Sequence, residues 1–181
     1  RLASILPQHR MYKINPQDIE IIRSAKRSKT ATGEFKHGKL RVLMPALLSK
    51  EQEEHCIATI VARVERRETQ QMLNEGDPLR KRAAELNARY FAGALDIASV
   101  QYVTNQNSLF GSCSVRRKTI RLSHHLAEVP GWVRDYVLMH EMAHLVEPGH
   151  GRAFWDIVNR YPRTQEARRY LKAFARGEQP Q

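Results

Sequence analysis

The chain is poor in cysteine, in long apolar runs and in acidic side chains. Its two cysteines, Cys56 and Cys113, are too few for a disulfide framework and form no CxxC metal clamp. No apolar run approaches the roughly 20 residues that a membrane-spanning helix needs, and the N-terminus lacks the apolar core of a secretory signal. These features predict a protein without a membrane segment in a reducing compartment, the cytoplasm.

The scarcity of acidic residues leaves a strong positive charge. Thirty Lys and Arg against nineteen Asp and Glu give a net charge of +11 and a pI near 10.1. Such a charge suits either nucleic-acid binding or a solvated basic surface. The basic residues occur in short groups along the chain, without a basic tail or a nucleic-acid motif, which favours the solvated surface. Nucleic acid is kept as the less favoured partner.

The pattern of apolar residues predicts an α+β fold. No internal repeat or low-complexity linker divides the chain, so we expect one domain over residues 1–181. Residues 19–45 read as a small N-terminal β-hairpin or sheet, with a glycine turn in "GEFKHGK". Residues 50–74 read as an amphipathic helix that begins at a capping box of Ser49 and Gln52. Short strands between residues 99 and 123 predict a second, antiparallel sheet, packed against several helices.

The stretch "HEMAHLVEPGH", residues 140–150, carries the strongest chemical signal. Residues four apart on an α-helix lie one turn apart on the same face, so His140 and His144 can direct two imidazoles at one point. Glu141 can reach a water at that point without being a ligand. Two imidazoles, a neighbouring acid and an open position favour Zn²⁺, with Glu141 as general base for a metal-activated water. Apolar residues around this cluster predict a buried helix, whose polar groups need partners.

Glu147 and His150 are the two candidates for a third ligand. Glu147 falls on the same face as His140 if the helix continues, but its side chain would then point parallel to its neighbours. Pro148 predicts the end of the helix, and a turn at this point can carry His150 back from a new direction. This geometry favours His150, with Glu147 as the alternative.

Several nearby residues could support the site. Tyr136, one turn before His140, is either an oxyanion donor or part of the core. Asp135 or Asp156 could orient a ligand histidine. His124 and His125, at a strand end, are expected to be solvated rather than functional.

The segment from Phe110 to Pro162 closely resembles the YgjP-like metallopeptidase domain, a zincin relative of the SprT-like proteases. The likeness is carried by GSCS at 111–114, DYVLMHEMAHL at 135–145 and HGRAFW at 150–155. It extends more loosely to the N-terminal stretch "RSAKRSKTATGEFKHGKLRVLMP". The resemblance therefore covers most of the chain and implies a zincin-like fold with a catalytic core at about residues 78–177.

The resemblance also implies a function. It implies zinc bound by His140, His144 and His150, with Glu141 as the catalytic acid/base of a zinc-dependent peptidase. The expected substrate is a peptide or protein in extended conformation, paired with the "KTIRLS" strand beside the cleft. Because SprT-like relatives act near DNA, the alternative is a nucleic-acid-associated protein, either a DNA-linked protease or a basic DNA-binding module with a metal site.

Overall fold

The computed structural model describes residues 12–27, 30–106 and 109–178. These residues form two three-stranded sheets and five α-helices, which confirms the α+β fold class. They divide into two compact units, one within Arg10–Gln71 and the other within Met72–Gln181. None of the helices in the described ranges is long and apolar enough to cross a bilayer. The single domain expected from the sequence stays a prediction.

The secondary-structure elements are numbered in chain order, and the helix Lys50–Asn74 extends three residues past the boundary at Gln71. The strands are β1 (Ile19–Ser24), β2 (Thr32–Lys36), β3 (Lys39–Pro45), β4 (Ser99–Val103), β5 (Gly111–Ser114) and β6 (Thr119–Ser123). The α-helices are α1 (Lys50–Asn74), α2 (Pro78–Phe91), α3 (Gly131–Ala143), α4 (Arg152–Val158) and α5 (Thr164–Phe174). Two short 3-10 helices span Pro16–Asp18 and His124–Ala127.

The N-terminal unit is a sheet with the order β1-β3-β2 and the long helix α1. β2 and β3 form the expected hairpin, whose turn at His37 and Gly38 has φ values of 52° and 77°. β1 pairs with β3 in parallel. Alternate side chains of β3 are fully buried and cluster with Ile60 of α1, as the period of two in a half-buried strand requires. The sheet and helix thus share one apolar core.

The first turn of α1 confirms the predicted capping box. The backbone N–H of Gln52 donates to Oγ of Ser49 at 3.2 Å, and the backbone N–H of Ser49 donates to Oε1 of Gln52 at 3.0 Å. This exchange satisfies backbone donors that have no partner within the helix.

The sheet of the C-terminal unit has the order β4-β6-β5. β5 and β6 are antiparallel, as expected, but β4 and β6 are parallel, so the expectation of a purely antiparallel sheet was wrong. The physical reason is that β6 inserts between β4 and β5 instead of extending a meander. β6 is therefore the central strand, with a neighbour on each side. The "KTIRLS" strand has no free edge for a substrate, which contradicts the pairing expected above.

α3 is the buried helix of the C-terminal unit. Val133, Leu138, Met139 and Met142 are fully buried, which confirms the expectation of apolar surroundings on several sides. The helix ends at Ala143, earlier than Pro148 alone would require. The backbone N–H groups of Leu145 and Val146 donate three residues back, at 3.1 and 3.0 Å, and that of Glu147 donates to Ala143 at 2.8 Å, so the chain forms tighter turns directly after the helix.

Candidate metal centre

The end of α3 and the turn after it bring three histidines together. His140 lies in the last turn of α3, His144 ends the helix, and His150 lies at the end of the turn that follows. Each contributes one atom to a group whose members all lie within 4.8 Å of one another. The carboxylate of Glu147 is outside this group. Because α3 ends at Ala143, Glu147 does not continue the helical face that carries His140.

The spacing of the ring nitrogens fits a tetrahedral metal ion. Nε2 of His140 and Nε2 of His150 are 3.2 Å apart. Two nitrogen ligands about 2.0–2.1 Å from a tetrahedral zinc ion would be about 3.3 Å apart. The ring centroids of His140 and His144, His140 and His150, and His144 and His150 are 5.0, 5.2 and 4.7 Å apart. The three rings therefore surround one point at a spacing that suits a single small cation.

Two of the histidines are held in the form that binds metal. Nδ1 of His144 lies 3.3 Å from the carbonyl oxygen of Glu147. With the proton assigned to Nδ1, this contact leaves the lone pair on Nε2. Burial, followed by the charges of His144, His150 and Arg168, lowers the pKa of His140 to about 4. Burial is also the main cause that lowers the pKa of His144. Neutral imidazoles are the metal-binding species.

Phe154 of α4 packs against all three rings. It is fully buried, and its ring centroid lies 4.9, 4.5 and 4.7 Å from those of His140, His144 and His150. The neighbouring Trp155 lies 6.1 Å from His140 and 6.2 Å from His150. These contacts restrict the rotamers of the histidines and fix the turn that carries His150.

The carboxyl group of Glu141 lies against the start of β5. Glu141 is 6% exposed, and burial raises its pKa to about 7. A Cβ atom at Gly111 would lie 2.7 Å from Oε1 and 2.9 Å from Cγ of Glu141, so this approach requires glycine. Cys113 follows on the same face of β5. Burial, and then the charge of Glu141, raises the pKa of its thiol to about 11. The carboxyl group is therefore confined between β5 and α3.

The two aspartates proposed to orient a histidine have arginine partners instead. Asp135 accepts two hydrogen bonds from the guanidinium of Arg82, at 2.8 and 2.7 Å. The carboxylate of Asp156 lies 3.9 Å from Nε of Arg152. His144 is oriented instead by the backbone carbonyl of Glu147, and the order of side chains in the sequence does not reveal such a contact.

Tyr136 and the histidine pair complete the set of sequence candidates. Tyr136 is buried, and its ring centroid lies 6.2 Å from that of His140. His124 is 6% exposed, so the expectation that it is solvated was wrong. It lies in the 3-10 helix after β6, whose first turn folds onto the core, and burial is the main cause that lowers its pKa.

Comparison with known protein families agrees with this geometry. The model of the YgjP-like metallopeptidase domain matches residues 28–174. The chain belongs to the YgjP-like metallopeptidase family. Searches of curated proteins and of solved structures gave no match. The matched segment contains the whole histidine cluster and Glu141, and membership of a metallopeptidase family implies a metal and a protease-type hydrolase.

Two features of this YgjP-like domain were not predicted from its sequence. One is the close approach of Gly111 to Glu141, which are 30 positions apart in the chain. The GSCS motif contains that glycine, but the motif gives no indication of what the glycine faces. The other is the stacking of Arg168 on Trp155, with the guanidinium carbon 4.7 Å from the ring centroid. Neither contact has a local sequence signature.

Proposed function

We propose that this protein is a zinc-dependent peptidase that hydrolyses peptide bonds, with Glu141 as its general base. The cluster of His140, His144 and His150 carries the proposal, because three imidazole nitrogens within 4.8 Å of one another form the donor set of a catalytic zinc site. Within the described residues no fourth His, Cys, Asp or Glu completes the group. Three protein ligands leave one position open for a water or substrate, whereas structural zinc sites are closed by four.

Peptide hydrolysis at this site would use both the metal ion and the side chain of Glu141. When bound, zinc supplies a Lewis acid that makes a water acidic near neutral pH and polarises a carbonyl group. Glu141 takes a proton from the attacking water as the new C–O bond forms, and delivers it to the departing nitrogen as the C–N bond breaks. Its confinement by β5 and its pKa of about 7 support this role.

The edge of β5 is the proposed binding site for the substrate backbone. Among the described strands, β5 pairs only with β6 and forms one edge of its sheet. Its first residue, Gly111, lies against Glu141. An extended peptide added at this edge would place its carbonyl groups next to the proposed base, held by main-chain hydrogen bonds that tolerate many sequences. The free thiols of Cys56 and Cys113 suit a reducing compartment, so we propose that the enzyme acts in the cytoplasm.

Metal analysis of matched variants tests the ligand assignment. The wild type, His150→Ala and Glu147→Ala are purified without added metal, reconstituted with zinc, and measured by elemental analysis. We expect one zinc per chain in the wild type and in Glu147→Ala, and a strong loss in His150→Ala. Loss in Glu147→Ala with retention in His150→Ala would contradict the three-histidine site.

Glu141→Gln tests the base. This variant should keep zinc and a folded state but lose about 10²–10⁴-fold in the rate of peptide hydrolysis, the usual contribution of general acid–base catalysis. Hydrolysis is followed on an unfolded protein such as casein, with products identified by mass spectrometry. Full activity in a zinc-loaded Glu141→Gln protein would refute the assignment.

A further inference from the structure

A basic cavity lies beside the metal centre. Its volume is about 480 Å³, and it is lined by one residue of α3 and five of α5: Tyr136, Gln165, Arg168, Arg169, Leu171 and Lys172. Tyr136 precedes His140 by one helical turn, which places the cavity about one turn from the proposed metal ligands. The volume lies within the range of small-ligand pockets and is enough for one or two peptide side chains.

Arg168 connects this cavity to the histidine cluster. Its guanidinium carbon lies 4.7 Å from the ring centroid of Trp155, a cation–π contact that restricts this long side chain. Trp155 in turn contacts His140 and His150, at 6.1 and 6.2 Å between ring centroids. Trp155 is therefore the only side chain between the guanidinium of Arg168 and two of the proposed metal ligands in this series of contacts.

The charges of the cavity are not neutralised within the described part of the chain. Arg168, Arg169 and Lys172 contribute three positive charges, and the lining contains no acidic residue. No carboxylate among the described residues lies within 4 Å of their charged nitrogens. The acidic residue of α5, Glu166, is paired with Arg163 at 2.6 Å. Arg168 and Lys172 are four positions apart on α5, where like charges repel one another, so an anion bound here would relieve that repulsion.

We propose that this cavity is a subsite that binds a carboxylate side chain of the peptide substrate, so that the enzyme favours peptides with Asp or Glu near the cleaved bond. The inference rests on the proposed peptidase function and adds its substrate class. The planar guanidinium of Arg168 can donate two parallel hydrogen bonds to a carboxylate, and Lys172, one turn later, adds a second donor. The walls formed by Tyr136 and Leu171 suit the apolar stem of such a side chain.

The compact arrangement of the positive charges favours a peptide over nucleic acid as the ligand. The three cations lie within five positions of one helix, around a cavity of side-chain size. Binding of a nucleic-acid backbone uses many phosphate contacts along an extended basic surface. A compact group of three cations around one open cavity suits one acidic side chain better than a long polyanion.

Matched peptides test the subsite through cleavage. The substrates are short peptides whose ends are neutral because they are acetylated and amidated. The two peptides of each pair differ only by Glu or Gln at one position, and that position is varied from pair to pair on both sides of the cleaved bond. A third peptide keeps Gln and has a free C-terminal carboxylate. For the wild type we expect kcat/KM to be about fivefold to tenfold higher for Glu than for Gln at one position. Arg168→Ala should bring the ratio of the two kcat/KM values close to one. Arg168→Glu should favour a matched peptide with Lys at the same position over the Glu peptide.

Control variants separate the subsite from the fold and from catalysis. Arg80→Glu makes the same change of charge on α2, which does not line the cavity, and should keep the wild-type ratio. Zinc content should be the same in all variants. Calorimetric binding of the same peptides to zinc-loaded Glu141→Gln measures the preference without cleavage, and it should weaken as salt rises.

The possible outcomes distinguish failure of the proposed subsite from failure of the proposed peptidase function. Equal kcat/KM for the Glu and Gln peptides, or an equal change in Arg80→Glu, would overturn the subsite while leaving the peptidase intact. Preference only for the free C-terminus would replace the side-chain carboxylate by a terminal one. If no peptide is cleaved, the peptidase function fails, and binding to Glu141→Gln still decides the subsite. Binding of a single-stranded DNA oligonucleotide that Arg168→Glu abolishes, with no effect of peptide charge, would replace it by a nucleic-acid site.

Discussion

Gly111→Ala should inactivate the enzyme by displacing Glu141, with little effect on zinc. The added Cβ would lie 2.7 Å from Oε1, 2.9 Å from Cγ and 3.0 Å from Cδ of Glu141. Carbon atoms in comfortable contact are about 3.5–4.0 Å apart, so the carboxyl group must move by roughly 0.5–1 Å. A misplacement of about 1 Å costs about 10²-fold in rate when a group has to meet the reacting atoms in a fixed geometry.

The expected loss of stability is smaller than the loss of rate. Overpacking a buried site costs about 1–3 kcal/mol, and the atoms in the way belong to the end of a flexible side chain, so we expect about 1 kcal/mol. Gly131→Ala is the matched control, because its Cβ would meet only Nη2 of Arg134, at an ordinary 3.7 Å. The assay combines kcat/KM for peptide hydrolysis, zinc content and thermal unfolding for the wild type and both variants.

A double-mutant cycle shows whether the effect passes through the carboxyl group. If Gly111→Ala acts by moving Glu141, it should cost almost nothing further in a Glu141→Gln background, since the group being moved no longer takes a proton. Full activity of a folded Gly111→Ala protein would refute the reasoning. So would a parallel loss of zinc, because the substitution would then act on the metal site and not on the base.

Two further predictions concern groups that lie outside the proposed ligand set. With Cys56 replaced by Ser, the thiol of Cys113 should react with iodoacetamide at pH 8 about 100-fold more slowly in the folded than in the unfolded protein, because its pKa is raised to about 11 and the thiolate is the nucleophile. Equal rates in the two states would contradict the burial of this thiol. Arg82→Ala should lower the free energy of unfolding by about 2–3 kcal/mol in urea titration, since it leaves the buried carboxylate of Asp135 without its partner. Lys81→Ala, an exposed neighbour, should change it by less than about 0.5 kcal/mol, and equal effects of the two substitutions would mean that the ion pair contributes nothing specific.

The sequence predicted best those features that depend on a few neighbouring residues. The capping box at Ser49 and Gln52 needs only three positions of spacing and has the expected hydrogen bonds. His140 and His144 approach each other because four positions on a helix make one turn. Local rules also have exceptions: Asp77 stands directly before Pro78 and α2, where an aspartate is a typical N-cap, yet its φ is 54° and its side chain makes no capping bond.

The sheet of the C-terminal unit could not be predicted in the same way. Alternation of apolar residues identifies β4, β5 and β6 as strands, but it is the same for a strand at the centre of a sheet and one at its edge. Which strand has a free edge is decided by packing between residues far apart in sequence, here Ser99 with Thr119 and Gly111 with Leu122. The substrate strand was therefore assigned to β6, although β6 lies between two strands and β4 and β5 form the edges of the sheet.

The placement of β5 explains why the glycine at its start matters. A strand that receives a substrate at its outer edge has to lie close to α3, or the bound carbonyl group would be out of reach of the proposed base. Any side chain on the strand at the point of closest approach would hold the two elements apart. The absence of a Cβ at Gly111 allows β5 to contact the carboxyl group of Glu141 directly, and Cys113, a small residue, continues the same face. The GSCS motif is thus best understood as a packing solution that brings the proposed substrate edge and the proposed base together.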